Sequence, residues 1–255
     1  MTDRLYGIHA VLEALEAGRR GVTRVLISAS RDDRRVQRVL DAAHKAGVPV
    51  QRQPARALDR LSGGESHQGV LALVAAATYA DPEDLLRDAG ASPLFVVLDG
   101  VEDPRNLGAV ARAAAAAGAD GIFLPERGTA GLTAVAVKAS AGAAERIPIA
   151  RVGNVVSLLA ALKRKNIWVV GLDGSGEAPW TSFDLTSPVA LVLGGEGRGL
   201  RRLARETCDV VLSIPMAGGV ESLNLSVAAG IALFEAVRQR RGLGGKGQKA
   251  GASGP

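Results

Sequence analysis

From Pro93 onward the chain alternates between short β-branched apolar runs and segments of helical length. Residues 94–98, 121–124, 147–152, 167–172, 189–193 and 210–214 read as strands. Residues 106–117, 133–141, 155–165 and a final stretch from 222 to about 240 read as helices. Apolar runs separated by helices make a parallel sheet with crossover connections. That pattern confines the C-terminal part to an α/β fold and places any ligand at the carboxyl ends of strands. Two of those ends are unusual. One apolar run stops in GGEGRGL (194–200), the next in MAGGVESLNLS (216–226), and each loop leads into a helix. Glycine lets main chain approach a ligand closely, and a helix start offers free N–H groups to electron-rich partners.

The glycine loops match no common nucleotide fingerprint. GGEGRGL is not the GxxxxGK[ST] phosphate loop, and a GxGxxG dinucleotide loop belongs in the first βα turn rather than late in the chain. The residues alone therefore predict a small-molecule site of unspecified type, with Glu196 isolated among glycines.

The first 77 residues form a smaller α/β pattern of their own. Helices are predicted over 7–18, 32–46 and 55–61 and strands over 23–28, 48–51 and 67–74. A boundary near residue 78 gives a domain over 1–77, a linker over 78–92 and a second domain over 93–241. The glycine-rich stretch 242–255 has no core-forming residues and is expected to be disordered. Charge follows the same divisions. Residues 1–77 carry 12 Lys/Arg against 8 Asp/Glu, residues 78–235 carry 14 against 18, and residues 236–255 carry 5 against none. Basic ends suit a polyanion such as RNA, and equally suit ordinary solvated faces. With aromatics at 3%, base stacking on aromatic platforms is a poor expectation.

No apolar run approaches a membrane span of about 20 residues, and the opening residues lack an apolar signal segment. The single Cys208 excludes an internal disulfide and a cysteine metal cluster, and a reducing cytoplasm is the default. His9, His44 and His67 show no metal-ligand spacing, so no metal is expected. Within 106–117, Arg112 is the only charge in an alanine-rich helix and either reaches solvent along an edge or lines a cleft. Asn106 and Ser222 are most simply N-caps.

Three stretches taken together resemble the SpoU-type branch of the SPOUT RNA methyltransferases: DPRNLGAVARAA (103–114), LVLGGEGRGL (191–200) and IPMAGGVESLNLSVAAG (214–230). The first 75 residues are similar to that family's small L30e-like substrate-binding domain, with YGIHAVLEA and HQGV at its ends. The resemblance implies an L30e-like domain followed by a parallel-sheet α/β domain whose C-terminal portion makes a deep trefoil knot. It implies S-adenosylmethionine bound by main chain at Gly194, Ile214 and Leu223, with Gly195, Gly197 and Met216 alongside. It implies a homodimer with each site completed near the two-fold axis. Asn106, Arg112, Glu196, Ser222 and Asn224 match the family's polar site positions, and Ser226 belongs to the same motif. The implied reaction is methylation of a ribose 2′-hydroxyl in RNA, closest to the subgroup acting on a guanosine of 23S ribosomal RNA. A tRNA ribose methyltransferase, an rRNA adenosine methyltransferase conferring resistance and a non-enzymatic RNA-binding assembly factor are the alternatives. Arg19, Arg20, Arg24, Arg34, Arg35 and Arg38 are the expected RNA grip.

Overall fold

The computed structural model describes residues 2–18, 20–176, 178–217 and 222–244. In chain order its elements begin β1 (Thr2–Tyr6), α1 (Ile8–Ala17), β2 (Val22–Ser28), α2 (Arg34–Lys45), β3 (Val50–Gln53), α3 (Ala55–Ser62) and β4 (Val70–Ala75). The four strands make one sheet in the order β1-β4-β2-β3, with β4 antiparallel to both neighbours and β3 parallel to β2. Strand β1 was not expected, because TDRLY has no apolar run. It becomes a strand through pairing with β4, which sets Arg4 opposite Leu73 and Tyr6 opposite Leu71. The HQG segment is a turn ahead of β4, with Gln68 and Gly69 both at positive φ. From that turn the Gln68 Oε1 accepts the Ile8 N–H at 3.2 Å, supplying α1 with a cap from 60 residues away.

The predicted linker is ordered. Ala80 bridges to Ala150, with its N–H on the Ile149 carbonyl at 2.8 Å, and α4 (Pro82–Arg87) follows under an Asp81 cap. The second sheet then builds through β5 (Leu94–Asp99), α5 (Pro104–Ala117), β6 (Gly121–Pro125), α6 (Ala134–Ala139) and a short 3-10 turn (Ala143–Glu145). It continues through β7 (Ile149–Val152), α7 (Val155–Arg164), β8 (Trp168–Leu172), β9 (Ala178–Pro179), β10 (Val189–Gly194), α8 (Arg202–Thr207), β11 (Val210–Ser213) and α9 (Leu225–Gly244). Its order is β7-β6-β5-β10-β8-β11-β9, and every pairing is parallel.

Period-two alternation divides the strands between two cores. Leu94, Val96 and Leu98 of β5 and Leu191 and Leu193 of β10 face α5, α6 and α9. Phe95, Val97 and Val192 face α4, α7 and α8 on the other side. Two helix ends differ from expectation. Helix α5 starts at Pro104, and its cap is Asp103, which accepts the Arg105 N–H at 2.8 Å. This frees Asn106 for other work. Helix α9 runs to Gly244, so residues 242–244 of the expected tail are helical, and residues 245–255 lie outside the described residues.

Helices α5 and α6 touch through Gly108. A Cβ placed there would sit 2.2 Å from the Ala136 carbonyl oxygen and 2.7 Å from the Ala139 Cβ. Because the obstacle is backbone, it cannot swing aside. Gly108→Ala is expected to destabilise the protein by about 1–3 kcal/mol, the usual penalty for overpacking, read as a lower urea midpoint.

Candidate functional site

The site forms where β10 and β5 end side by side, with Gly194 opposite Asp99. The glycine loop folds back on itself: Gly195 and Gly199 form an isolated bridge, with the Gly199 N–H on the Gly195 carbonyl at 3.2 Å. A Cβ on Gly194 would lie 1.9 Å from the Gly199 carbonyl carbon, and one on Gly195 would lie 2.6 Å from the Gly100 oxygen. Glycine at 194 and 195 is therefore required by the loop's own packing, a reason independent of any ligand. Gly197, at φ +73, meets open space.

Two carboxylates that the sequence reading passed over hold this loop. Asp173, just after β8, accepts the Leu200 N–H at 3.2 Å and pairs with Arg205 at 3.2 Å. Asp99 accepts the Arg201 N–H at 3.2 Å and pairs with its guanidinium at 3.3 Å. Both acids directly end an apolar strand, and that position was the available signal. Burial pushes the Asp173 carboxyl up. Hydrogen bonds from the Ser175 hydroxyl and N–H and from Leu200, with Arg205 nearby, outweigh this and hold it below the ordinary carboxylate value.

Three segments distant in sequence converge here. The Asn106 Nδ2 donates a short hydrogen bond to the Glu196 Oε1, and the Asn224 Nδ2 donates to the Asn106 Oδ1 at 3.1 Å. Asn224 also caps α9, its Oδ1 accepting the Ser226 N–H at 2.9 Å and hydroxyl at 2.6 Å. The cap role expected of Ser222 thus belongs to Asn224, whose side chain sits one residue before the helix. Ser222 is exposed and has no hydrogen-bond partner among the described residues, and residues 218–221, including Glu221, lie outside them.

The third motif also contains main chain without hydrogen-bond partners. Among the described residues, no backbone hydrogen bond reaches Ile214, Met216 or Leu223, although Ile214 and Leu223 are half-buried. Half-buried backbone groups without partners are uncommon in a folded protein.

Arg112 does not join the cluster. It lies six residues beyond Asn106, about 9 Å along α5 and about 120° around it. It is exposed and unpaired among the described residues, on a stripe with Arg105, Ala109 and Ala116. Alongside, α9 exposes Val227 (48%) and Phe234 (51%).

The expected RNA arginines divide. Arg34, Arg35 and Arg38 are exposed on α2, opposite Val36 and Val39, which are buried in the small core. Arg24 is exposed on β2, hydrogen-bonded to Gln51 at 3.3 Å. It alternates with Val25 and so lies on the sheet face away from α2. Arg20 is corrected: it is only 5% exposed, because its guanidinium is taken up by Asp3 and Glu145. Arg19 lies outside the described residues.

Comparison with known proteins gives the class. Residues 93–234 match the model of the SpoU rRNA Methylase family, and residues 4–80 match the model for RNA 2′-O ribose methyltransferase substrate binding. Together they define a two-part RNA 2′-O-ribose methyltransferase. The chain belongs to the SpoU rRNA Methylase family. It is 46% identical to the 23S rRNA (guanosine-2′-O-)-methyltransferase RlmB of Xylella fastidiosa, over 92% of this chain and 96% of that one. It is also 46% identical to RlmB of Haemophilus influenzae, over 95% and 100%. Its fold matches the SpoU methyltransferase AviRb of Streptomyces viridochromogenes in complex with the cofactor AdoMet. That match has a TM-score of 0.79 at 26% identity and covers 94% of this chain and 91% of that one.

The carboxylate that pins the glycine loop makes the loop acid-sensitive. Its folded pKa lies below its unfolded value. The stabilisation is therefore present above the unfolded pKa and is lost as pH falls through the folded one. Asp173→Asn is expected to lower stability at pH 7 by about 1–3 kcal/mol. The gap from wild type should close in urea melts run at progressively lower acidic pH.

Proposed function

We propose that this chain transfers a methyl group from S-adenosylmethionine to a ribose 2′-hydroxyl of RNA, on a guanosine of 23S ribosomal RNA. The observation that carries this reading is the hydrogen-bonded chain Glu196–Asn106–Asn224, which joins three motifs, the third of which also holds the main chain of Ile214 and Leu223, unpaired among the described residues. That main chain suits an adenosine, whose ring nitrogens and amino group complement backbone N–H and C=O groups. The exposed Met216 and the open Gly197 leave room beside it. The 46% identity to two RlmB enzymes over nearly the full length supports the choice of substrate.

The bound cofactor would supply an electrophilic sulfonium methyl group; the chain's own residues would align the hydroxyl and manage its proton. Asn106 holds the Glu196 carboxylate, which takes up the departing proton directly or through water. Ser222, exposed two residues before Asn224, lies within the substrate's approach. Arg112 is not the base, since a guanidinium stays protonated in proteins. It binds RNA phosphate and stabilises the developing 2′-oxyanion.

In a single chain Arg112 faces away from this cluster, so the reading includes a homodimer. The exposed stripe of α5 and the apolar Val227 and Phe234 of the neighbouring α9 make the contact face, and the Arg112 of one chain completes the other chain's site. The path of the C-terminal segment through the site loops is read as the family's trefoil knot, which accounts for α9 returning to pack against α5.

Arg112→Ala is expected to lower kcat by about 10²- to 10³-fold, as for loss of one oxyanion donor, while S-adenosylmethionine affinity in calorimetry stays near wild type. A dimer combining an Arg112→Ala chain with an Asn106→Ala chain should regain activity, because one of its two sites is intact. Failure of the mixture to exceed either variant alone would remove the trans arrangement.

Assaying tritium transfer to 23S rRNA fragments and to tRNA, with nucleoside mapping of the product, tests the substrate. Methyl on tRNA, or on an adenosine, would replace the reading.

A further inference from the structure

The buried Arg20–Glu145 pair crosses between the small sheet domain and the methyltransferase domain. The Arg20 guanidinium uses three directions at once: Nη1 donates to the Glu145 Oε1 at 3.1 Å, Nη2 to the Asp3 Oδ2 at 2.7 Å, and Nε to the Ala75 carbonyl at 3.1 Å. Both Arg20 and Glu145 are 5% exposed. Burying such a pair stabilises little compared with an apolar contact, because both charges lose water. What it supplies is direction, since a guanidinium donates to carboxylates only through its in-plane N–H groups.

The surrounding contacts repeat the pattern. Arg146 pairs with Glu13 and with Glu16, the latter at 3.2 Å. Lys138 pairs with Glu65 at 3.1 Å and lies 5.1 Å from the Tyr6 ring centre. Val137 is buried in the small domain's own core. The methyltransferase side thus presents Lys138, Glu145 and Arg146, and the small domain answers with Glu65, Arg20, and Glu13 with Glu16. A displaced docking would set like charges against each other, so the pattern selects one orientation. The same segment touches the site: α6 packs through Ala136 and Ala139 on Gly108 of α5, two residues after Asn106.

We propose that Arg20 and Glu145 are positioning residues for methyl transfer. Their pair fixes the small domain on the segment from α6 to the 3-10 turn, so that RNA held by that domain is presented in one register and one ribose reaches the Asn106–Glu196–Asn224 cluster. The proposal rests on the RNA-methylating reading above.

The test uses full-length protein carrying Arg20→Met with Glu145→Gln, which removes both charges together. Small-angle scattering should show a broader distance distribution than wild type. RNA affinity should stay within about twofold, because phosphate contacts elsewhere carry it. The kcat at the target ribose should fall by about 10- to 100-fold through misplacement alone, with methyl appearing on neighbouring riboses in nucleoside mapping. Should the double variant not fold, Lys138→Glu reads the same device from the surface, and adding Glu65→Lys should restore kcat and the single methylated position. Variants that methylate the same ribose at the wild-type rate, or a Lys138→Glu loss that Glu65→Lys does not rescue, would overturn the proposal. A wild-type protein that places no methyl on any ribose would overturn the functional reading instead.

Discussion

The amide of Asn106 is the junction on which the site depends. It is one side chain with a donor and an acceptor on the same group, and both are used: the donor on Glu196, the acceptor for Asn224. An aspartate there would face Glu196 with like charge, and a leucine would leave two polar partners without a bond. The junction needs α5 to arrive at a fixed height and rotation. Asp103 sets the height by capping the helix, and Gly108 sets the separation by letting α6 come into backbone contact. The local chemistry of the site is thus a consequence of helix packing several residues away.

The glycine loop illustrates how one residue type serves different ends within a single motif. Gly194 and Gly195 are small because the loop closes on itself and on β5, whereas Gly197 is left facing open space. The carboxylates of Asp173 and Asp99 brace the loop from two neighbouring strand ends. A parallel sheet brings these together because all its strands deliver their carboxyl ends to one edge. Among the described residues the main chain of Ile214 and Leu223 makes no backbone hydrogen bond, which in a half-buried place is a standing preference for a polar ligand.

Arginine is where sequence reading and structure diverge most. Counting basic residues in the first 77 positions treats Arg20 and Arg34 alike, yet one is buried in a three-way pairing and the other lies on the surface. The identity of a charged residue says nothing about its partner when that partner is distant in sequence, and Glu145 lies 125 residues from Arg20. Arg112 poses the opposite case. Its apolar neighbours suggest a cleft, while in the folded chain Arg112 is exposed on the same side of α5 as Ala116, and Ala111 and Ala114 are buried in the core.

The sequence by itself determined the periodic elements and their class. Apolar runs spaced by helices force a parallel sheet, and strand ends rich in glycine locate the site at one edge, because these are properties of short windows of chain. The motifs around 103–114, 191–200 and 214–230 likewise made the family legible before any coordinates. Tertiary structure alone decided that TDRLY is a strand, that Gln68 caps α1, that Asn106 joins Glu196 to Asn224, and that Arg20 joins two domains. Each of these depends on a hydrogen bond or ion pair between groups that only folding brings within about 3 Å, and no window of sequence contains both partners.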